Sequence, residues 1–233
     1  MKIMSMLLAG AFALTTGHLW AASGTENSIE RLQSSSDTLQ AMINTPDKGI
    51  PEEVLNNAKC IVVVPHLVKG GFVIGGEHGR GVATCRTKEG WSAPAFVSIG
   101  GGSWGLQIGV EGVDLVMLVM NDHGLQHLLS SKFQMGADAS ASAGPIGRHA
   151  SAGTDWKMDS EILTYSRSKG VFAGISLDGA VVEQDKDSTR AIYGSDPSFH
   201  SVLSGEVPAP SSTRQFLKAI SEVAHTSAVA EAK

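Results

Sequence analysis

The stretch at 91–120, WSAPAFVSIGGGSWGLQIGVEGVDLVMLVM, constrains this chain more than any other. It holds one Glu, one Asp and no Lys or Arg. From Val113 to Met120 every position except Asp114 is apolar. A run that short and that apolar suits a strand buried on both faces, and a buried helix gives the same pattern. The β-branched residues and flanking glycines favour the strand. Leu106, Ile108 and Val110 alternate with Gln107, Gly109 and Glu111, the period of a half-buried strand. Gly100, Gly101, Gly102, Gly105, Gly109 and Gly112 recur too often for flat sheet and mark bulges, bends or close backbone approach. The expected fold is α+β: a curved antiparallel β-sheet, barrel-like or a sandwich, centred on this block, with N- and C-terminal helices.

The first residues read as an export signal. Lys2 is a thin positive start, residues 3–14 are an apolar run too short to span a bilayer, and Trp20-Ala21-Ala22-Ser23 is a small-residue exit. The expected organisation is a signal peptide at 1–22, one domain at 26–206 and a C-terminal helix and tail at 207–233. The expected location is the periplasm or cell envelope of a bacterium. A net charge of −5 gives no basic footprint for nucleic acid. Twenty-seven glycines with 18% charged residues argue for a compact β-rich fold and against disorder. Cys60 and Cys85 can bridge in an oxidising compartment or remain two buried thiols.

Residues 26–44 carry Ile29, Leu32, Leu39, Met42 and Ile43 on one helical face, with Ser36 breaking the stripe. The polar face lacks the Lys/Arg richness of membrane-surface helices, so packing on its own domain is expected. Pro51-Glu52-Glu53 opens a short second helix. Residues 60–64 form a strand stopped by Pro65, and 72–76 and 82–86 form two more. A helix follows at 121–131, capped by Asn121 or Asp122. Residues 133–144 alternate strictly between alanine and polar residues, as one strand does. Strands are expected at 161–165 and 171–177, with Asp178-Gly179 as a hairpin turn and 180–183 as the return. A short helix at 187–193 and a last helix opened by a Ser212-x-x-Gln215 capping box complete the chain.

Three constellations could carry chemistry. Gly101-Gly102-Ser103-Trp104-Gly105 matches the G-x-S-x-G nucleophile elbow, but a strand-like segment follows where the elbow needs a helix. A serine hydrolase using Ser103 is therefore the least favoured reading. His123 and His127 share a helical face, yet Gly124 stands where a zinc peptidase has Glu, and the sequence points to no third ligand. Basic residues sit beside glycines: Lys69, Arg80, Arg167 and Lys169. Backbone amides beside a cation can hold an anion, so these four are the candidates for contact with lipid headgroups, with Phe72 and Phe172 as the apolar rim. No catalytic residue, metal or cofactor is expected.

Residues 165–179, YSRSKGVFAGISLDG, resemble the Tyr-Ser-Arg-Ser-x-Gly-Leu-Phe-Ala-Gly signature of the SYLF domain family. AKCIVVVP at 58–65 leading to GFVIGG at 71–76, GLQIG at 105–109 and GPIG at 144–147 agree with the same family. The resemblance covers roughly residues 30–204. It implies a non-catalytic domain found in fungal and animal adaptors that bind phosphoinositides and, in fungi, actin filaments. It also implies secreted bacterial members. No Src-homology-3 segment accompanies the domain here, so an adaptor role is not expected. The expected partners are anionic lipids or a membrane surface, with an envelope protein as the alternative.

Overall fold

The computed structural model describes residues 16–45, 49–146, 160–173, 175 and 177–230, with backbone only at 16–23, 71–74, 103–110, 173 and 224–230. Residues 1–15 of the expected signal lie outside the described residues. From Thr16 the backbone is already helical and runs through the expected exit as α1 (Thr16–Ile43). Then come α2 (Glu52–Asn57), β1 (Cys60–Thr87), β2 (Gly90–Trp91), β3 (Ala95–Val119) and α3 (Asp122–Leu129). β4 (Lys132–Gln134), β5 (Ala141–Ala143), β6 (Ile162–Ser168), β7 (Val171–Ala173) and β8 (Val181–Gln184) follow. The chain closes with α4 (Lys186–Tyr193), α5 (Phe199–Leu203), a 3₁₀ turn (Ser211–Thr213) and α6 (Arg214–Ala230).

The sheet is built on one long ribbon. β1 and β3 pair antiparallel from Cys60↔Val119 to Ala83↔Ala95. β6 adds to β3 through Ile162 to Arg167, β8 adds to β3 at Val97–Gly100, and β5 lies parallel to β6. The fold is thus α+β with a strongly curled sheet as expected, and among the named strands of the described residues β5–β6 is the one parallel pair. Curvature is set by β1 itself. A straight strand would part Cys60 and Cys85 by about 80 Å; their Cα atoms are 4.0 Å apart and their sulfurs are bonded. The strand therefore turns back on itself, and the Arg86 amide donates to the Lys59 carbonyl to close the loop. Gly79 and Gly81 permit the approach. A Cβ at Gly79 would come within 2.7 Å of Leu67 Cδ1, and one at Gly81 would overlap the Val63 carbonyl oxygen.

Residues 60–64, 72–76 and 82–86 are therefore parts of one strand, where the sequence suggested three. Pro65 does not stop it. Pro65 and His66 together oppose Asp114, a β-bulge in which the missing proline N–H interrupts no ladder bond. His66 takes a φ of +57° there, and its amide donates to Asp114 Oδ1.

The ribbon separates two cores. Cys60, Val62, Val64, Leu67, Val97, Ile99, Leu115, Met117 and Val119 point one way, onto α3, α5, β4 and β8. Ile61, Val63, Phe96, Val116, Leu118, Leu163 and Tyr165 point the other, onto α1, α2 and α6. This is why 113–119 tolerates so little polarity: both faces are buried. On α1, Leu32, Leu39 and Met42 are buried with Ser28, Ser35 and Ser36, so the serines belong to the packed stripe, and Ser36 Oγ donates to the Leu32 carbonyl. The apolar face of α1 packs on its own domain, while Ile29 is exposed. Among the described residues no helix is long and apolar enough to cross a membrane.

Three further expectations change. Residues 133–144 are not one strand: β4 ends at Gln134, Gly136 turns with φ +82°, and the Gln134 amide donates to Asp138 Oδ2 before β5 begins. Asp178-Gly179 does turn the chain, with Gly179 at φ +86°, but β7 pairs with β6 and β8 with β3 and β4, so it joins no hairpin. At the last helix the bond formed is from Thr213 Oγ1 to the Pro210 carbonyl, inside a 3₁₀ turn rather than a capping box at Ser212.

Candidate functional site

The four candidate cations meet different surroundings. Lys69 Nζ lies 2.9 Å from Glu77 Oε2, and both side chains are largely buried. Residues eight apart on one strand touch only because the ribbon curls. Arg167 on β6 faces Asp114 on β3 across the register and bonds its Oδ2 at 3.2 Å, both one-fifth exposed. Arg80 lies on the helix side, 4.0 Å from Asp185, which caps α4. Asp185 also accepts from Arg31 Nη1 at 2.9 Å, and Arg31 lies over the Phe96 ring. Burial alone would raise the Asp185 carboxyl; the Ser188 amide, the Ser188 hydroxyl and Arg31 outweigh it and hold the group below its ordinary range. Burial also pulls the Arg31 guanidinium down, which Asp185 partly offsets.

Lys169 differs from these three. It is exposed, and among the described residues it has no ion pair. It sits at the tip of the β6–β7 hairpin, closed by Ser168↔Val171. With φ +48° at Lys169 and +80° at Gly170 this is a type I′ turn. Its neighbour Val171 is 65% exposed. The hairpin runs past the last β3–β6 pair toward the end of the sheet where β3 continues through Gly112, opposite the exposed Val68. Lys69, Arg167 and Lys169 thus lie toward one end of the sheet, but on different faces: Lys69 follows Leu67 onto one face, while Arg167 follows Leu163 and Tyr165 onto the helix side, the side that Arg80 also takes. Phe172 is half-buried against the helix-side core, and the side chain of Phe72 lies outside the described residues. The exposed apolar residue at the hairpin is Val171. Val171 follows directly on Lys169-Gly170, and it is not among the residues expected at the rim, Phe72 and Phe172.

The recognised signature is partly architectural. Tyr165 is buried, its ring occupies the space a Cβ on Gly144 would need, and burial pushes its hydroxyl above the ordinary phenol range. Ser103 lies within β3 opposite Gly75. A strand interior is not the strand-to-helix turn that a nucleophile elbow requires.

A third cluster gathers what the sequence left apart. Asn121 caps α3, accepting from the Gly124 amide, and His123 and His127 share one face of that helix, ring centroids 4.6 Å apart. Glu161, just before β6, brings Oε1 to 2.6 Å from His123 Nδ1. One donor atom from each of His123, His127 and Glu161 lies within 4.8 Å of the others. Sequence reasoning found the two histidines and missed Glu161, whose place depends on the Met120 amide donating to the Glu161 carbonyl.

Together these features define a class: an α+β domain whose curled ribbon is packed by its N- and C-terminal helices and whose Asp114, Asp185 and Glu161 each reach a partner on another element. Comparison with known proteins agrees. The family model for Ysc84, described as Las17-binding protein actin regulator, matches residues 100–223. Rat SH3 domain-containing YSC84-like protein 1 is 33% identical over 169 residues, 72% of this chain and 49% of the relative. Protein YSC84 of Saccharomyces cerevisiae is 33% identical over 176 residues, 74% of this chain and 37% of that one. LAS seventeen-binding protein 3 of the same yeast is 32% identical over 168 residues, 70% and 36%. The chain belongs to the Ysc84, or SYLF, family, and it spans half or less of the length of these relatives.

Proposed function

We propose that this chain is a non-catalytic module that docks on anionic amphiphile surfaces, exported to a bacterial envelope, with the β6–β7 hairpin leading the contact. One observation carries the reading: an exposed lysine held at positive φ beside an exposed valine. An L-residue in the left-handed region costs about 1–2 kcal/mol, and type I′ turns favour Asn or Gly at that position. Lys169 keeps a long cation there instead, without an acidic partner among the described residues. Arg167 supports the same end of the sheet, although Asp114 holds it. The N-terminal pattern and the Cys60–Cys85 bridge both suit an oxidising compartment outside the cytosol.

A lysine near an anionic surface contributes about 1 kcal/mol, so docking is weak and salt-sensitive, with Val171 adding apolar contact. In vesicle flotation, the protein should float with phosphatidylglycerol-containing vesicles at low salt and much less at high salt. Lys169→Glu should weaken this about tenfold. Equal recovery with neutral and anionic vesicles at both salt concentrations would remove the charge-led mechanism.

A second reading is a protein-interaction module. It is favoured by names: the matching family is described as Las17-binding, and one relative is called LAS seventeen-binding protein 3. Pull-down from an envelope extract that returns a defined protein with no lipid in the eluate would select it.

A further inference from the structure

The cluster at the start of α3 plays no part in the docking surface. His123 and His127 stand four residues apart, the spacing that places two imidazoles on one helical face. Gly124, the residue that breaks the zinc-peptidase motif, admits the third member. A Cβ there would come within 2.9 Å of the Glu161 carbonyl oxygen and 3.2 Å of Glu161 Cβ, so only glycine lets that segment lie against the helix. The carboxylate is held from behind: its Oε2 accepts from the Ser140 amide, and Ser140 Oγ accepts from the Glu161 amide. Asp122, the nearest other acid, is turned to Lys59 Nζ at 2.8 Å and is not a member.

The second observation is on His127. Its Nε2 is buried and has no hydrogen-bond partner. A buried polar atom left alone is rare in a folded protein, and an ion is one of the standard explanations. His123 and Glu161 satisfy each other, so a plain histidine–carboxylate pair accounts for those two and leaves His127 unexplained.

We propose that His123, His127 and Glu161 bind a divalent transition metal of the zinc type, with one coordination position open to water or another ligand. Two imidazole nitrogens and one carboxylate oxygen suit zinc, nickel, cobalt or copper and disfavour magnesium and calcium, which take oxygen ligands. Ligands about 2.0–2.1 Å from a tetrahedral centre lie about 3.4 Å from one another. The three donors already lie within 4.8 Å of one another, so a small inward shift brings them to that spacing. The 2.6 Å contact between His123 and Glu161 opens as the metal enters, and His123 gives up the hydrogen bond to coordinate. Ser140 plays the supporting part that outer hydrogen bonds play for ligating carboxylates. A bound metal ties α3 to the start of β6.

The test uses the full chain without an affinity tag, titrated with zinc chloride against a chromophoric chelator. The expected result is one equivalent bound with micromolar or tighter affinity, a rise in thermal midpoint on zinc addition, and no response to magnesium or calcium. His123→Gln leaves an exposed position and should fold normally by circular dichroism; it should weaken zinc at least tenfold and abolish the thermal shift. Glu161→Gln should do the same. His66→Gln and His200→Gln, at exposed histidines elsewhere, should leave both readouts unchanged. Zinc binding no tighter than about 100 μM, or affinity unaltered in a folded His123→Gln protein, would overturn the assignment.

Discussion

The two halves of the β1–β3 ribbon carry glycine for opposite reasons. In the half where 60–64 pairs with 115–119, every residue of both segments is at most 1% exposed, and side chains alternate between the two cores. The glycines that matter to it, Gly79 and Gly81, press on Val63, Val64 and Leu67 from the returning part of β1. In the far half, among the described residues, a Cβ on Gly102 would meet nothing within 4 Å and one on Gly76 would make only an ordinary contact, whereas one on Gly101 would come within 3.0 Å of Ala180 Cα. The first pair of glycines makes curvature possible by allowing contact. Gly76 and Gly102 leave room for a methyl among the described residues, so a small side chain there meets no steric objection. Glycine content alone therefore overstates how much of this sheet is bent by close packing.

The largest test of this contrast is Gly81→Ala against Gly102→Ala. The first drives a methyl into a backbone carbonyl that the closed ribbon holds in place, so a loss of more than about 3 kcal/mol, or failure to fold, is expected. The second should change stability by no more than about 0.5 kcal/mol. Urea unfolding of both proteins decides the matter, and similar losses would dissolve the distinction between the halves.

Next in size is the bridge that fastens the closed half. It spans 25 residues of a single strand. Loop-closure entropy puts its contribution at about 3 kcal/mol, and Cys60→Ser with Cys85→Ser should lower the unfolding free energy by roughly that amount. Docking on vesicles should survive, because the hairpin tip lies outside the closure.

Smaller again is the charge network that joins the closed half to the helices. Asp185 is held below its ordinary range when folded, so its stabilisation is complete above about pH 4 and is lost as pH falls through the folded value. Asp185→Asn keeps an N-cap but loses the charge opposite Arg31, and should cost about 2 kcal/mol at pH 7. The difference between parent and variant should shrink as pH drops below about 4. A difference that stays constant to pH 2 would mean that local packing or hydrogen-bond geometry, not the Asp185 charge, sets the loss.

The sequence showed the closed half more clearly than the open one. Leu115 to Val119 are legible as doubly buried because polarity is hardly tolerated when both faces are covered, and the one acid nearby, Asp114, is paired with Arg167. The continuity of β1 was not readable, since Pro65 and paired glycines resemble breaks until Asp114 supplies the residue that faces the bulge. Local composition could propose Lys69, Arg80, Arg167 and Lys169, but it could not reveal that Glu77, Asp185 and Asp114 would reach the first three. Those acids come from a curled strand, a helix cap and a neighbouring strand. The His123–His127 pair was visible as a helical spacing, whereas Glu161 joins it only through β6 and the clearance at Gly124.

A smaller effect on stability than these losses, and of opposite sign, is the most useful for function. Lys169 occupies a turn position that favours Asn, and the left-handed backbone opposes a lysine there. Lys169→Asn should therefore raise stability by about 0.5–1 kcal/mol, while removing the exposed cation of the tip. If the hairpin exists to dock, the same substitution should reduce recovery with anionic vesicles at low salt and leave recovery with neutral vesicles unchanged. Stabilisation without loss of docking would move the contact away from the β6–β7 tip. No gain in stability would mean that Lys169 is held in place by its neighbours rather than against its own preference. The informative outcome is the opposed pair, a firmer fold with weaker attachment, because packing alone gives no reason to keep a lysine at that φ.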